Sequence, residues 1–151
     1  MRRIALLVVL LATVGCASSG PKGDAVTLPA IAAGKSRLVF YRTSSAIASM
    51  DKPDILMDSV VIGKSESGCF SYADVEPGKH LVECKGGEAN GISVQTAAGE
   101  TAYIETSIKA TINHFQINVE QKPEAEAKQK IAKLKFKPPV GMPAAGAATK
   151  P

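Results

Sequence analysis

Tryptophan is absent from this 151-residue sequence, which has only three tyrosines, four phenylalanines and two histidines. So few aromatic rings supply a poor platform for binding sugar rings. Long apolar runs are missing as well: the longest, residues 4–14, is shorter than the roughly 20 residues that a membrane-spanning helix needs. A polytopic membrane protein is therefore excluded, and the length favours a single domain.

The chain has little excess charge of either sign. The formal net charge is +4, but Arg2 and Arg3 lie within residues 1–15, which contain no acid, so the rest of the chain carries only +2. No stripe of arginines with interleaved aromatic residues is present, and nucleic acid is not an expected partner. The charge is concentrated instead, because residues 122–151 hold seven basic and two acidic residues.

The N-terminus has the pattern of a bacterial secretory signal. Arg2 and Arg3 precede an apolar segment over residues 4–11, and small residues then lead to Cys16. We therefore expect residues 1–15 to be a signal peptide, with the folded part of the chain after them.

Cys16 follows Gly15 directly, and this arrangement resembles the lipobox of bacterial lipoproteins, although Thr13 stands where that family prefers leucine. The resemblance implies that Cys16 is acylated, becomes the mature N-terminus and tethers the protein to a membrane. Ala17 rather than aspartate follows, which in the family implies transfer to the outer membrane, facing the periplasm. The alternative is an ordinary secreted protein.

The mature chain divides into three parts by composition. Residues 16–35 are rich in Ala, Gly, Ser and Pro without a sustained period, which predicts a lipidated N-terminus followed by a flexible tether. Residues 36–137 carry the structural signals, whereas residues 138–151 consist mostly of Pro, Ala and Gly, which predicts a disordered tail.

Short runs rich in Val, Ile, Thr, Tyr and Phe, separated by turn residues, predict a mainly β fold, an antiparallel β-sandwich of about seven short strands. Pro77 and Gly78 suit the centre of a type II turn, which predicts a hairpin there. The predicted strands cover residues 36–42, 55–62, 69–75, 80–85, 92–97, 101–108 and 115–121.

One C-terminal amphipathic helix is predicted from Pro123 to Leu134, with Ala127, Ile131 and Leu134 on one stripe. We expect the stripe to pack on the sheet; the competing interpretation is a helix lying on the membrane with this stripe in the lipid. The remaining basic side chains are expected to bind anionic lipid headgroups or an acidic envelope partner. They are Lys128, Lys130, Lys133, Lys135 and Lys137.

Two cysteines remain if Cys16 is lipidated. In an oxidising compartment Cys69 and Cys84 are expected to form a disulfide, since a hairpin at Pro77 would place them diagonally on one face. Two buried thiols are the alternative, and a zinc site is a weaker one because His80 and Cys84 would lie about 13 Å apart.

The part of the chain between Leu28 and Phe136 resembles a family of small bacterial lipoproteins that carry a single domain of unknown function. The resemblance implies a prealbumin-like or PEGA-like β-sandwich with no established catalytic or binding residues. The matching features, besides the lipobox, are the strand 37–42, Gly68-Cys69-Phe70, the motif 75–80 and the run 99–104.

Catalytic motifs are incomplete. Gly34-Lys35-Ser36 and Gly63-Lys64-Ser65 lack the leading glycine of a P-loop, and Ser49 and Lys52 lack the companion motifs of penicillin-binding proteins. We therefore predict no catalytic residue, metal or cofactor.

The prediction is a non-enzymatic, lipid-anchored envelope protein that binds an envelope component. One alternative is a periplasmic inhibitor of a hydrolase, acting through a loop at residues 43–54. The other is a small hydrolase or ligand-binding enzyme, which would need a cleft that joins His80 or His114 to a carboxylate.

Overall fold

The computed structural model describes residues 20–86, 88–89, 91–139 and 148–149. They form a four-stranded sheet, a six-stranded sheet and one α-helix, stacked in that order. The predicted β-sandwich with a C-terminal helix is confirmed. Its elements are η1 (Gly23–Ala25), β1 (Val26–Thr27), β2 (Ser36–Arg42), β3 (Asp54–Met57), β4 (Val60–Lys64), β5 (Cys69–Val75), β6 (Gly78–Cys84), β7 (Glu88–Ala89), β8 (Ile92–Thr96), β9 (Thr101–Ala110), β10 (Phe115–Lys122), α1 (Glu124–Ile131), β11 (Lys135–Phe136) and β12 (Ala148–Thr149).

The two large sheets differ in strand direction. The order β4-β3-β6-β8 is antiparallel throughout, whereas the order β11-β5-β2-β9-β10-β7 contains three parallel pairs, of which β2–β9 is central. β2 and β9 can be parallel because the chain passes through the four-stranded sheet between them. A two-stranded antiparallel sheet joins β1 to β12.

β2 is buried on both faces. Leu38 and Phe40 lie in the core between the sheets, while Val39 and Tyr41 pack under the helix. A strand covered on both sides is expected to have a continuous apolar run rather than an alternating one, as the run Leu38–Tyr41 does.

The turn at Pro77 and Gly78 does not close a hairpin, so this prediction is wrong. β5 pairs with β2 and β11, whereas β6 pairs with β3 and β8, and the turn therefore carries the chain from one sheet to the other. Gly78 has φ 145°, a conformation that side chains rarely permit.

The predicted strand 55–62 is a hairpin instead. It reverses at Asp58 and Ser59, whose φ angles of 49° and 70° satisfy the two-residue turn that matches the twist of paired strands. The strand propensity of the flanking residues concealed this turn, although aspartate is one of the residues that tolerate positive φ.

The described part of the predicted tether is packed on the domain. The Gly23 N–H donates to the Leu134 carbonyl at 2.8 Å, and Val26 and Leu28 pack against the helix-side core. A side chain at Gly20 would place its Cβ 1.8 Å from the Phe136 carbonyl oxygen, so this contact depends on glycine. The folded unit therefore begins by Gly20 rather than at residue 36.

Residues 1–19, with the predicted signal peptide and Cys16, lie outside the described residues, as do residues 140–147 and 150–151 of the predicted tail. Ala148 and Thr149 of that tail pair with β1, where we had predicted disorder.

The helix is shorter than predicted and ends at Ile131, but its stripe is where we expected it. Ala127 and Ile131 are buried in the core against the six-stranded sheet, and so is Leu134 beyond the helix end. The stripe therefore serves the protein core and does not form a membrane face.

Candidate functional site

Two of the five predicted surface lysines, both on the helix, form close ion pairs with carboxylates. Lys130 lies 2.8 and 3.0 Å from the two carboxylate oxygens of Glu105 and 2.9 Å from Glu126, and these hydrogen bonds raise the pKa of Lys130. Lys128 pairs with Glu124 one helical turn earlier. Since Glu105 is largely buried, Lys130 acts as a link between helix and sheet.

The buried hydroxyl of Tyr41 lies in the same layer and has no hydrogen-bond partner in the part of the chain that the structure describes. Burial, with a contribution from Glu105, raises the pKa of Tyr41 to about 12. The group therefore stays protonated at neutral pH and does not provide a base.

The other lysines of the set lie beyond the helix, at and around β11. Lys133 and Lys135 are exposed, and no ion pair to either is found among the described residues, whereas Lys137 is half-buried with its Nζ 3.9 Å from Glu66. Lys22 of the N-terminal segment lies directly opposite Lys135 in an antiparallel bridge. Like charges in this position repel, so the pair does not stabilise the fold.

The two cysteines are both free, so the predicted disulfide is wrong. Cys69 lies in the six-stranded sheet opposite Arg42, and Cys84 lies in the four-stranded sheet opposite Ile55. The disulfide prediction assumed that the strands on either side of Pro77 form a hairpin, and these strands lie in different sheets.

Burial also makes both thiols poor nucleophiles. It raises the pKa of Cys84 to about 12 and is the main cause of the raised pKa of Cys69. Both are therefore protonated at neutral pH.

Arg42 organises the loop at residues 43–53, a role that our sequence reasoning missed. Its guanidinium is fully buried and donates hydrogen bonds to the carbonyls of Ala48 at 2.7 Å and Asp51 at 3.0 Å, with longer contacts to Ile47 and Ser65. An arginine directly after the apolar run of β2 is the signal that could have identified it.

Exposed apolar side chains are concentrated on two loops at the same end of the sandwich. Met50 is 89% exposed on the loop 43–53, and Ile112 is completely exposed on the turn 111–114 that joins β9 to β10. Ile47 and Phe115 are each about half exposed beside them. Such protruding apolar groups indicate an interaction surface.

A cleft of about 370 Å³ lies beside the loop 43–53, against β9 and β10. Pro53, Ile108, Phe115 and Ile117 form its apolar wall, and Asp51, Lys52, Lys85 and Gly86 complete it.

A second cleft, of about 390 Å³, lies between the N-terminal segment, the six-stranded sheet and the helix. Val26, Leu28, Tyr103 and Ile131 are among its apolar lining residues. Arg37 also lines it, but its guanidinium is bound to Asp74 at 2.6 and 2.9 Å and stacks on Tyr72. The charge of Arg37 is therefore already satisfied.

His80 has a structural role in the turn of the β3–β4 hairpin. Its Nδ1 lies 2.6 Å from the Asp58 carboxylate, and its Nε2 lies 2.8 Å from the Glu76 carbonyl. Both partners are acceptors, so both ring nitrogens must donate, which requires the charged imidazolium. These hydrogen bonds raise the pKa of His80.

The other predicted histidine, His114, lies in the turn 111–114, where its carbonyl accepts hydrogen bonds from the Thr111 N–H and hydroxyl. Among the described residues, no three His, Cys, Asp or Glu side chains are grouped so that they could hold a metal ion. None of the described helices is long and apolar enough to cross a membrane.

Comparison with known proteins gives two matches. A family model described as "Protein of unknown function (DUF2846)" matches residues 32–119. A protein of Haemophilus influenzae (strain ATCC 51907 / DSM 11121 / KW20 / Rd), whose name is given as "Uncharacterized protein", is 30% identical over 132 residues, covering 87% of this chain and 78% of its own length. No solved structure matches the chain significantly.

Proposed function

We propose a function from the residues of this chain itself. The chain belongs to the DUF2846 family, whose function is unknown, so family membership does not supply one. The protein is a non-enzymatic, lipid-anchored component of the bacterial envelope, acylated at Cys16, and it binds another envelope component through its sandwich. The resemblance to lipoproteins with prealbumin-like or PEGA-like domains supports the same assignment.

The observation that carries the proposal is the closeness of the lipobox-like cysteine to the folded unit. Only three residues separate Cys16 from Gly20, where the chain is already packed beside Phe136. Four residues of chain reach at most about 14 Å. An acylated Cys16 would therefore hold the domain directly at the membrane surface and leave no long tether.

The dispersal of reactive side chains supports a non-enzymatic role. His80 is engaged by Asp58, Lys130 by Glu105, and Cys84 is a buried, protonated thiol. Each of these groups has a structural partner or is inaccessible, so none is poised as a base or nucleophile.

Cell fractionation tests the anchor. The Cys16→Ala protein is expected to move from the membrane to the soluble fraction, because it loses the acyl chains that would hold it. Cys69→Ala is the matched control, since it removes a cysteine outside the lipobox-like motif and is expected to stay with the membrane. A Cys16→Ala protein as membrane-bound as the wild type would contradict the proposal.

A second candidate is a periplasmic inhibitor, favoured by the order of the loop 43–53. Arg42 fixes this loop through carbonyl hydrogen bonds, and a loop ordered before binding loses less entropy on docking. Inhibition of periplasmic hydrolase activity by the purified protein, lost on Met50→Asp, would support this candidate over the first.

A further inference from the structure

The topology gathers several loops at one end of the sandwich. β2 ends there at Arg42 and β5 begins opposite it at Cys69, while β9 continues past its last pairing with β2 as far as Ala110. The loop 43–53 and the turn 111–114 therefore project from this end, which we call the loop end. The opposite end carries the turn 97–100, which is bonded to Lys35 and Arg37 at the start of β2.

The apolar side chains at the loop end are not covered by any other part of the chain that the structure describes. Ile47, Met50, Ile112 and Phe115 are four of the seven large apolar residues found exposed in the described part of the chain. The other three, Val60, Val61 and Leu81, lie in β4 and β6 of the four-stranded sheet. The turn 97–100 carries none of them.

Lysines surround this apolar tip. Lys52 and Lys85 line the cleft beside Phe115, and Lys133 lines a depression next to Thr43 at the base of the loop 43–53. Two acids offset part of this charge: Asp51 lines the same cleft as Lys52 and Lys85, and Glu66 pairs with Lys52 at 3.1 Å. Lys133 and Lys135 have no such partner among the described residues, so the positive charge around the tip exceeds what the local acids neutralise.

We call Lys52, Lys85, Lys133 and Lys135 the lysine collar. An apolar tip with such a collar matches the surface of an anionic lipid leaflet. The apolar side chains can enter the boundary between headgroups and acyl chains, and the lysines can contact the headgroup phosphates. A protein partner would need an apolar pocket surrounded by acids. The chain offers an independent reason to prefer lipid: Gly20 lies beside Phe136 of β11, and Lys135 of the same strand belongs to this collar.

We propose that the loop end is a membrane contact surface, with Met50 and Ile112 inserted into the leaflet that holds the Cys16 lipid. This inference rests on the proposed lipid anchor and names lipid as the envelope component. The loop is prepared for insertion, since Arg42 satisfies its carbonyls internally and Ala48 is held at φ 51°. Strained positions of this kind are found at binding loops that the surrounding structure holds in place.

The absence of tryptophan makes a direct test possible. Ile112→Trp introduces a unique fluorophore at the loop end, and Ala98→Trp is the matched control in the exposed turn 97–100. Each mature, lipidated variant is reconstituted into vesicles of phosphatidylethanolamine and phosphatidylglycerol with a lipid brominated on its acyl chains. We expect blue-shifted, quenched emission from the first variant and unshifted, unquenched emission from the second.

The outcomes separate the two proposals. If neither variant associates with the vesicles and Cys16→Ala changes nothing in fractionation, both the anchor and the membrane contact are wrong. If both variants are anchored and the Ile112→Trp emission is no more quenched than that of Ala98→Trp, the membrane contact alone is wrong. An Ile112→Trp shift in native envelope membranes but not in protein-free vesicles would assign the loop end to a protein partner and overturn the lipid contact.

Discussion

Lys130 of the helix donates to both carboxylate oxygens of Glu105 on β9, at 2.8 and 3.0 Å, and so joins the helix to the sheet. Removal of this amine leaves a largely buried carboxylate without its main partner, whereas Lys133, one turn further along, has no comparable contact among the described residues. Two lysines that are equivalent by sequence pattern therefore have different roles.

We predict that Lys130→Gln affects only the stability of the domain, and that Lys133→Gln affects only its binding to lipid. Lys130→Gln should lower the free energy of unfolding by roughly 1.5–3 kcal/mol, the range for a hydrogen bond to a charged group, and leave vesicle binding unchanged. Lys133→Gln should leave stability unchanged and weaken binding of the Cys16→Ala chain to phosphatidylglycerol vesicles by about fivefold. Denaturant unfolding measures the stability of each variant, and vesicle sedimentation measures its lipid binding. If both variants changed both properties equally, Lys130 and Lys133 would not have different roles.

The stability of the domain should also depend on the charge of His80. Asp58 and the Glu76 carbonyl raise the pKa of His80 in the folded state. Charged His80 therefore contributes fully to the free energy of unfolding below its ordinary pKa of about 6.5, and this contribution is lost as the pH rises through the raised pKa of the folded state. The free energy of unfolding should therefore fall as the pH rises between these two pKa values, and the fall should be smaller in high salt.

Asp58→Asn is the matched variant for this effect. Asparagine also tolerates the positive φ of this turn position but removes the charge that holds the imidazolium. Urea unfolding at acidic and mildly alkaline pH should show a reduced pH dependence in the variant. A pH dependence as large as that of the wild type would mean that another group is responsible.

The thiols provide a third prediction. Cys69 and Cys84 should both be alkylated when the exported protein is unfolded without reductant, since they lie in different sheets. In the folded protein Cys84 should resist alkylation, because burial raises its pKa to about 12 and blocks access. Intact-mass measurement distinguishes these states, and a mass lacking both alkyl groups after unfolding would restore the disulfide.

The same cysteines show which part of the fold can be predicted from sequence. Pro77 and Gly78 signal a turn through their own backbone preferences, and a turn is present. Whether the strands on either side pair with each other depends on distant partners, here β2 and β3, which no local signal specifies. The predicted disulfide depended on the pairing of these two strands, and it is wrong because the strands do not pair.

Periodicity predicted the helix stripe because Ala127 and Ile131 repeat on one helical face, and that face had only one sheet to cover. The loop end could not be predicted in the same way. Met50 and Ile112 are far apart in sequence and belong to no periodic run, and only the fold brings them to one end. Their isolation within polar loops made them inconspicuous.

The last prediction concerns Arg42, on which the order of the loop end depends. Its buried guanidinium donates hydrogen bonds to the carbonyls of Ala48 and Asp51. Arg42→Met keeps the length of the side chain but leaves those carbonyls without a donor, at an expected cost of about 2–4 kcal/mol in the free energy of unfolding.

Amide hydrogen exchange should localise the effect of Arg42→Met. Protection should fall in the loop 43–53, while the turn 97–100 at the other end should be unchanged. In vesicles, Ile112→Trp should stay quenched with Arg42→Met added, because the turn 111–114 does not depend on Arg42, whereas quenching of Met50→Trp should weaken. Equal loss of exchange protection at both ends would show that Arg42 supports the whole fold and has no specific role in holding this loop.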